Sequence, residues 1–299
     1  MTGAAQRGFT LIELAIVLVI IGLIVGGILV GQSLISAAGV RATITQIEKY
    51  NTAANTFREK YGYLPGDLNA ASALQFGFAS RAGTSGRGDG NGIIQGFDYA
   101  SSHWYGWNEG SGETGLFWND LSVSNLIDGS FTAAVDTAQS ISIGAATTPD
   151  LDNFLPVAKL GRGNYFYVYS TGSYSAGGNG LNYWGLSAVS AIATDGNLTS
   201  APALTVQEAY GIDKKIDDGL PMSGTVQANY LTGFAASPPL LWAAGNGATG
   251  ASSTAATHGT ATTCYDNGNV GGATQQYSVE ISNGSNVNCA LSFHMQAGD

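Results

Sequence analysis

An uncharged apolar stretch near the N-terminus, residues 14–40, limits the fold more than any other feature. Its 27 residues include no Lys, Arg, Asp or Glu. As an α-helix they would be about 40 Å long, which exceeds the roughly 30 Å hydrocarbon layer of a bilayer. The stretch therefore predicts a transmembrane helix. Since Arg7 precedes it, the positive-inside rule predicts a cytoplasmic N-terminus and places residues 41–299 across the membrane.

An acidic residue, Glu13, lies just before this stretch, and no Lys or Arg lies between residues 8 and 40. A carboxylate at membrane depth costs roughly 2.5–3.5 kcal/mol on insertion scales, so Glu13 needs a partner or a function. A secretory signal peptide is cleaved after its apolar run. Here the sequence that resembles a processing site, Arg7-Gly8-Phe9, comes before the run, so cleavage would keep the apolar helix on the mature chain.

The heptapeptide GFTLIEL, residues 8–14, resembles the cleavage and methylation motif of bacterial type IV prepilins and of the pseudopilins of type II secretion. The resemblance extends over about residues 7–60. It implies that residues 1–8 are a leader peptide, and that a prepilin peptidase cleaves after Gly8 and N-methylates Phe9. Mature subunits would then assemble into a helical filament through the helix of residues 9–40.

Cleavage after Gly8 would create the cation that Glu13 lacks, the α-amino group of Phe9. Three arrangements remain open at this point. In the first, Glu13 pairs with the amine of a neighbouring subunit and sets the axial register of the filament. In the second, it pairs with the amine of its own chain, one helical turn away. In the third, the helix is a plain membrane anchor and Glu13 lies in the headgroup zone.

The helix departs from many pilins in having no proline at its middle. Glycines occur there instead, at positions 22, 26, 27 and 31. Glycine either permits close packing of helices or loosens the helix locally.

Beyond the membrane segment the pattern becomes amphipathic. Apolar residues recur every three or four positions or at sums of these, at Val40, Ile44, Ile47, Ala54, Phe57 and Tyr61. This spacing predicts that residues 41–62 continue the helix as the spine of a globular head. Residues 9–60 would then form one rod of about 78 Å, and Gly62, Pro65 and Gly66 are expected to end it.

The remaining residues, 63–299, are predicted to form an extracytoplasmic α+β head, with an antiparallel sheet packed on the spine helix. Helices are expected at 114–129, capped by Thr114 and ended by Gly129, and at 205–221, where Thr205 and Glu208 form a capping box and Gly219 ends the helix. Aromatic and β-branched content predicts strands at 164–170, 181–189, 225–231, 276–282 and 290–295.

Charge and cysteine content restrict the partners of the head. Residues 1–60 carry five Lys and Arg against three Asp and Glu, whereas the rest of the chain carries six against eighteen. Such an acidic head is a poor nucleic-acid binder, so no nucleic-acid partner is expected. Cys264 and Cys289 suit one disulfide in an oxidising compartment, the alternative being two free thiols in a reducing one.

The glycine-rich segment GRGDGNGII, residues 86–94, offers Asp89 and Asn91, with Asp98 nearby. Resemblance to the pseudopilins implies Ca²⁺ as a candidate ligand, because that family binds Ca²⁺ in a head loop. An EF-hand loop starting at Asp89 would need Glu at residue 100, where the chain has Ala, so that match fails. The alternative is a turn in which Asp and Asn side chains cap backbone amides. No other cofactor is expected.

The sequence carries no zinc, P-loop or G-x-S-x-G signature, so no catalytic residues, enzymatic activity or small-molecule substrate are predicted. The overall prediction is a structural subunit, a type IV pilin or minor pilin, that starts as a single-pass inner-membrane precursor. Its expected partners are the prepilin peptidase and other pilin subunits, with the head used for adhesion or partner contact. The alternatives are a type II secretion pseudopilin and a membrane-tethered binding or carbohydrate-active domain that never polymerises.

Overall fold

A computed structural model describes residues 10–98, 103–105, 111–131, 134, 146–147, 150–171, 180–193, 196–233, 240–244 and 256–296. The helices are α1 (Leu11–Tyr61), α2 (Ala70–Phe76), α3 (Gly112–Val123) and α4 (Val206–Ile216), with 3₁₀ turns at Asp150–Asn153 and Ile281–Gly284. The strands are β1 (Gly96–Asp98), β2 (His103–Tyr105), β3 (Ala146–Thr147), β4 (Asn164–Ser170), β5 (Asn182–Ile192), β6 (Leu198–Ala201), β7 (Leu204–Thr205), β8 (Val226–Gln227), β9 (Asn229–Leu231), β10 (Leu240–Trp242), β11 (Tyr265–Asp266), β12 (Gln276–Tyr277), β13 (Val287–Cys289) and β14 (Leu291–His294).

Helix α1 is one uninterrupted helix of 51 residues, about 76 Å long. A capping box begins it, in which the Thr10 side chain accepts from the Glu13 backbone and the Glu13 side chain accepts from the Thr10 backbone. It ends at Gly62, whose φ of 82° lies in the left-handed region that glycine adopts without strain. The expected continuous rod and its end at Gly62 are both confirmed.

Six strands form the main sheet, with the long strand β5 at its centre. One edge of β5 pairs with β4 and then β3, and the other edge pairs with β14 and then β6. Strand β8 extends the sheet beyond β14. All of these pairings are antiparallel, so the structure is the expected α+β head with an antiparallel sheet.

The core lies between the sheet and the second half of α1. Tyr50 of α1 packs edge-on against Trp118 of α3 and Phe166 of β4, with ring centroids 5.0 and 5.4 Å apart. Trp184 of β5 donates from its indole nitrogen to the Asn51 side-chain oxygen at 2.9 Å. All seven residues of β4 are buried. The aromatic strand at 164–170 thus fills the core, and large aromatic side chains pack against the second half of α1.

Several expected elements differ in extent, and β5 continues three residues past the expected end, to Ile192. Helix α3 starts at Gly112 rather than Thr114 and ends at Val123, because Asn125 adopts a left-handed φ of 56° that ends it before Gly129. The strand expected at 225–231 is divided into β8 and β9. The one expected at 276–282 is strand only at Gln276–Tyr277, since the chain turns into the 3₁₀ segment that follows.

Helix α4 is confirmed with its capping box of Thr205 and Glu208. It ends at Ile216, and Gly219 follows in the left-handed region with a φ of 77°.

Candidate functional site

The first candidate site is the N-terminal part of α1, which the head leaves uncovered. Its large apolar side chains from Leu11 to Ile35 are each at least 50% exposed. Within the described residues the first hydrogen bond from α1 to the head comes from Ser36, whose hydroxyl donates to Glu208 Oε1 at 3.1 Å, and Val40 is the first buried residue of α1. The uncovered segment is therefore about 37 Å long. By length and composition it is able to cross a membrane.

Glu13 is bound to its own helix start. Its Oε2 atom accepts from both the backbone nitrogen and the hydroxyl of Thr10, each at 2.8 Å. Its Oε1 atom has no hydrogen-bond partner in the described part of the chain. The capping box thus orients the carboxylate toward the N-terminus and leaves one oxygen for a further donor. Sequence reasoning missed Thr10, although the Thr-x-x-Glu spacing is a capping-box signature.

Gly8 and Phe9, the residues of the expected cleavage and methylation site, lie outside the described residues.

The second candidate site is the glycine-rich loop of the head. Four glycines, at 86, 88, 90 and 92, alternate with other residues, and their φ angles lie between 70° and 84°. This alternation turns successive backbone N–H groups toward one side and forms a concave nest for anions. Two carboxylates of the chain itself occupy the nest, those of Asp67 and Glu113.

Each carboxylate binds several amides of the loop. The two oxygens of Asp67 accept from Gly90 N and Gly92 N, both at 2.8 Å. Glu113 accepts from Gly88 N at 2.8 Å and, with its other oxygen, from Gln95 N at 2.9 Å. Asp67 and Glu113 therefore fasten the loop to the turn after the spine helix and to the start of α3.

Asp89 adds a third carboxylate beside those of Asp67 and Glu113. One oxygen from each of Asp67, Asp89 and Glu113 lies within 4.8 Å of the others. Burial, followed by the charge of Asp89, raises the pKa of Asp67 to about 7. Burial and then the charge of Asp67 raise the pKa of Glu113 well above its ordinary range. Three carboxylates so close together retain a proton or bind a cation, because their charges otherwise repel in a poorly solvated place.

Of the three residues expected to bind Ca²⁺, the structure places one in the carboxylate cluster and the other two elsewhere. Asp89 lies in the carboxylate cluster. Asn91 is exposed and donates from its side chain to Asp89 Oδ2 at 2.9 Å, while its oxygen accepts from Ile93 N at 2.7 Å. Asp98 is the last residue of β1. Sequence reasoning missed Asp67 and Glu113, which are far from Asp89 in the chain, and Ca²⁺ binding stays a prediction.

Beside the loop lies a buried ion pair that no local pattern indicated. Arg81 binds Asp120 of α3 through two parallel hydrogen bonds of 3.0 and 2.8 Å, and both side chains are inaccessible to solvent. Asp120 also accepts from Gly66 N at 2.7 Å. This pair ties the turn after α1 to α3.

Cys264 and Cys289 form a disulfide, with Cα atoms 5.0 Å apart, as the sequence predicts. Cys289 ends β13, which pairs with β7 next to α4. The bond therefore joins Cys264 to the strand pair that precedes α4, the helix whose Glu208 accepts from Ser36 of α1.

An open groove of about 970 Å³ lies between α1 and the head, beyond the apolar segment. Its α1 wall consists mostly of small and polar residues between Ala42 and Thr56. The rest of the lining comes from residues 125–128 and from Phe131, Pro156, Val157 and Lys159.

Comparison with known proteins identifies one motif. Residues 3–29 match the family model described as the prokaryotic N-terminal methylation motif. A search of curated proteins gave no match, and a search of solved structures gave none. The match covers the expected cleavage site, Glu13 and most of the uncovered apolar segment.

Proposed function

We propose, from the N-terminal methylation motif that the chain carries, that this protein is a structural subunit of a type IV pilus-type filament. In this proposal a prepilin peptidase removes residues 1–8 and methylates Phe9, and α1 then packs with the α1 helices of other subunits. The observation that carries the proposal is the motif at residues 3–29, continued by an apolar helix that the head does not cover. A subunit extracted from the membrane has to bury that helix against apolar surface again, and a bundle of identical helices provides it.

Glu13 is proposed to set the register of this bundle. Its Oε2 atom is engaged by Thr10, whereas Oε1 has no partner in the described residues and is free to accept from the α-amine of a neighbouring Phe9. A charge-assisted hydrogen bond of this kind is strong in apolar surroundings. The head, which is acidic and rich in turns, would form the outer surface and serve adhesion or partner contact.

Intact mass spectrometry of membrane and sheared-filament fractions tests the processing and the assembly together. We expect a chain that starts at Phe9, carries one added methyl group and is lighter by the two hydrogens of a disulfide. Gly8→Ala should block cleavage and remove the chain from the filaments, whereas Gly3→Ala, a matched change within the leader, should alter neither. An uncut chain confined to the membrane beside an active peptidase would refute the proposal.

The role of Glu13 is tested separately, by comparing Glu13→Gln with Glu13→Ala. Both should be processed, and both should yield far fewer filaments than the unaltered chain, because neither side chain carries the charge that pairs with the amine. Normal filaments from Glu13→Ala would contradict the register role. A processed chain that forms no surface filament, but whose deletion blocks protein export, would identify a type II secretion pseudopilin instead.

A further inference from the structure

Three exposed basic side chains lie on or beside the first turns of α1 that the head covers: Arg41, Lys159 and Arg162, here named the basic rim. Lys159 and Arg162 belong to one turn, in which Gly161 N donates to Ala158 O at 2.9 Å. Arg162 has a left-handed φ of 56°, which a non-glycine residue adopts at some cost. Arg162 therefore occupies a backbone conformation that is unfavourable for a residue with a Cβ atom.

The turn lies at the boundary of the apolar segment. Leu160 packs against Gly39, at which a Cβ atom would be 3.9 Å from Leu160 Cα. Arg162 binds Glu208, and the same carboxylate accepts from Ser36, the residue after Ile35. Arg162 is therefore near the level of residue 36, and Arg41 lies about 7 Å further along the helix.

The level of Ser36 and Arg162 corresponds to the headgroup layer, whereas Lys159, whose backbone nitrogen donates to Gln46 Oε1 at 3.0 Å, is held further from the apolar segment. Residues 14–35 of α1 extend over about 33 Å, which fills the roughly 30 Å hydrocarbon core. The layer outside the core adds roughly 5–8 Å on each side. Lys and Arg side chains are long, and their charged ends extend toward polar surroundings. The side chains of the rim are therefore expected to reach toward the headgroup layer.

The charge of the rim is opposite to that of the head. Beyond residue 40 the chain carries ten Lys and Arg against twenty Asp and Glu. Glu208, which is buried, is the one carboxylate that bonds to the rim within the described residues, and it is shared with Arg162. The side chains of Arg41 and Lys159 form no ion pair in that part of the chain. The rim is thus a positive edge on an acidic domain.

We propose that the basic rim binds the phosphate headgroups of anionic phospholipids while the subunit resides in the membrane before assembly. This inference rests on the proposed membrane insertion of α1. A membrane phosphate suits the rim better than a free anion, because a membrane-spanning α1 keeps lipid phosphates close to it at high effective concentration. Each basic residue near an anionic surface is expected to favour contact about fivefold, within a Debye length of roughly 8 Å.

The test uses the full chain in vesicles of phosphatidylcholine, alone or with phosphatidylglycerol as a third of the lipid. The rate of Lys159 acetylation is measured by mass spectrometry relative to that of Lys60, which is exposed and lies about 36 Å beyond Ser36 on α1. We expect the relative rate to fall about fivefold in the anionic vesicles and to recover in high salt. Arg41→Gln should weaken this protection, and the matched variant Arg58→Gln, at an exposed arginine far along α1, should not.

Flotation of the vesicles separates the possible failures. A chain that floats with both vesicles but shows equal Lys159 rates overturns the rim proposal and leaves membrane insertion intact. A chain that floats with neither overturns both. Equal protection by inorganic phosphate in phosphatidylcholine vesicles would assign the rim to free anions, and protection that rises with protein density in those vesicles would assign it to a second copy. Either result also overturns the proposal.

Discussion

The buried carboxylates of the glycine-rich loop predict an unusual pH dependence of stability. Burial and the neighbouring Asp89 raise the pKa of Asp67 to about 7, whereas an aspartate in an unfolded chain has a pKa of about 3.9. Between these values the folded chain keeps a proton that the unfolded chain has lost. The unfolding free energy is therefore expected to fall as the pH rises, the stabilisation being lost through about pH 7.

The size of the fall follows from the two pKa values. For Asp67 alone, the linkage relation gives a decrease of about 2 kcal/mol between about pH 5 and pH 7. The raised pKa of Glu113 acts in the same direction. So does that of Asp213, which burial raises to about 7. A variant is therefore needed to assign the effect to the loop.

Denaturation of the full chain in detergent, with EDTA present and the fluorescence of the buried Trp118 and Trp184 as the signal, measures this dependence. Asp67→Asn should reduce the fall by about 2 kcal/mol, because the amide does not titrate. It also loses one of two acceptor oxygens, so it lowers stability at every pH, and the slope is the informative quantity. Asp128→Asn, a matched change at an exposed aspartate, should keep the slope of the unaltered chain. Equal slopes for Asp67→Asn and the unaltered chain would refute the reasoning.

Calcium extends the same experiment to the metal prediction. A cation held by the carboxylates of Asp67, Asp89 and Glu113 would replace the retained proton, since both neutralise the same charges. Ca²⁺ should then raise the unfolding free energy at pH 7 more than at pH 5, and EDTA should reverse the change. A Ca²⁺-independent unfolding free energy at pH 7 would contradict the prediction made from the loop sequence.

Two further predictions concern the stability of the head. Replacing both Cys264 and Cys289 by Ala opens a loop with a sequence separation of 25 and should lower the unfolding free energy by about 3 kcal/mol, seen as a lower thermal midpoint; an unchanged midpoint would argue against a structural role. Arg81→Met leaves the buried Asp120 carboxylate without its ion pair and should cost about 3–5 kcal/mol in chemical denaturation. Arg58→Met, on exposed surface, serves as its control, and equal losses in the two would show that the buried pair contributes nothing.

Local patterns predicted those elements whose cause is local. The apolar run and the helical spacing after it predicted α1, and Gly62 predicted its end. The Thr205 and Glu208 pair predicted the start of α4, because a capping box involves residues three apart. The same signature at Thr10 and Glu13 was present in the sequence and was overlooked. The end of α3 was predicted wrongly, since a left-handed Asn125 competes with the more obvious Gly129.

The candidate site in the head is formed by residues that are far apart in the sequence, so local patterns did not predict it. Asp67, Asp89 and Glu113 are separated by more than twenty residues each, and nothing in the sequence near Asp89 indicates the other two. Their raised pKa values arise from burial, which is a property of the packed head. The ion pair of Arg81 and Asp120 is of the same kind, since loop closure over 39 positions brings it together.

By itself the sequence determined a long helix, apolar in its first half and amphipathic in its second, because those periodicities dictate which surroundings each face accepts. It also determined the methylation motif, which is a linear signal. Only the tertiary structure decided where the head begins to cover that helix, which carboxylates share the glycine-rich loop, and that Lys159 and Arg162 join Arg41 beside α1. Those features arise from contacts between segments far apart in the chain, whose energies exist only after the head has packed.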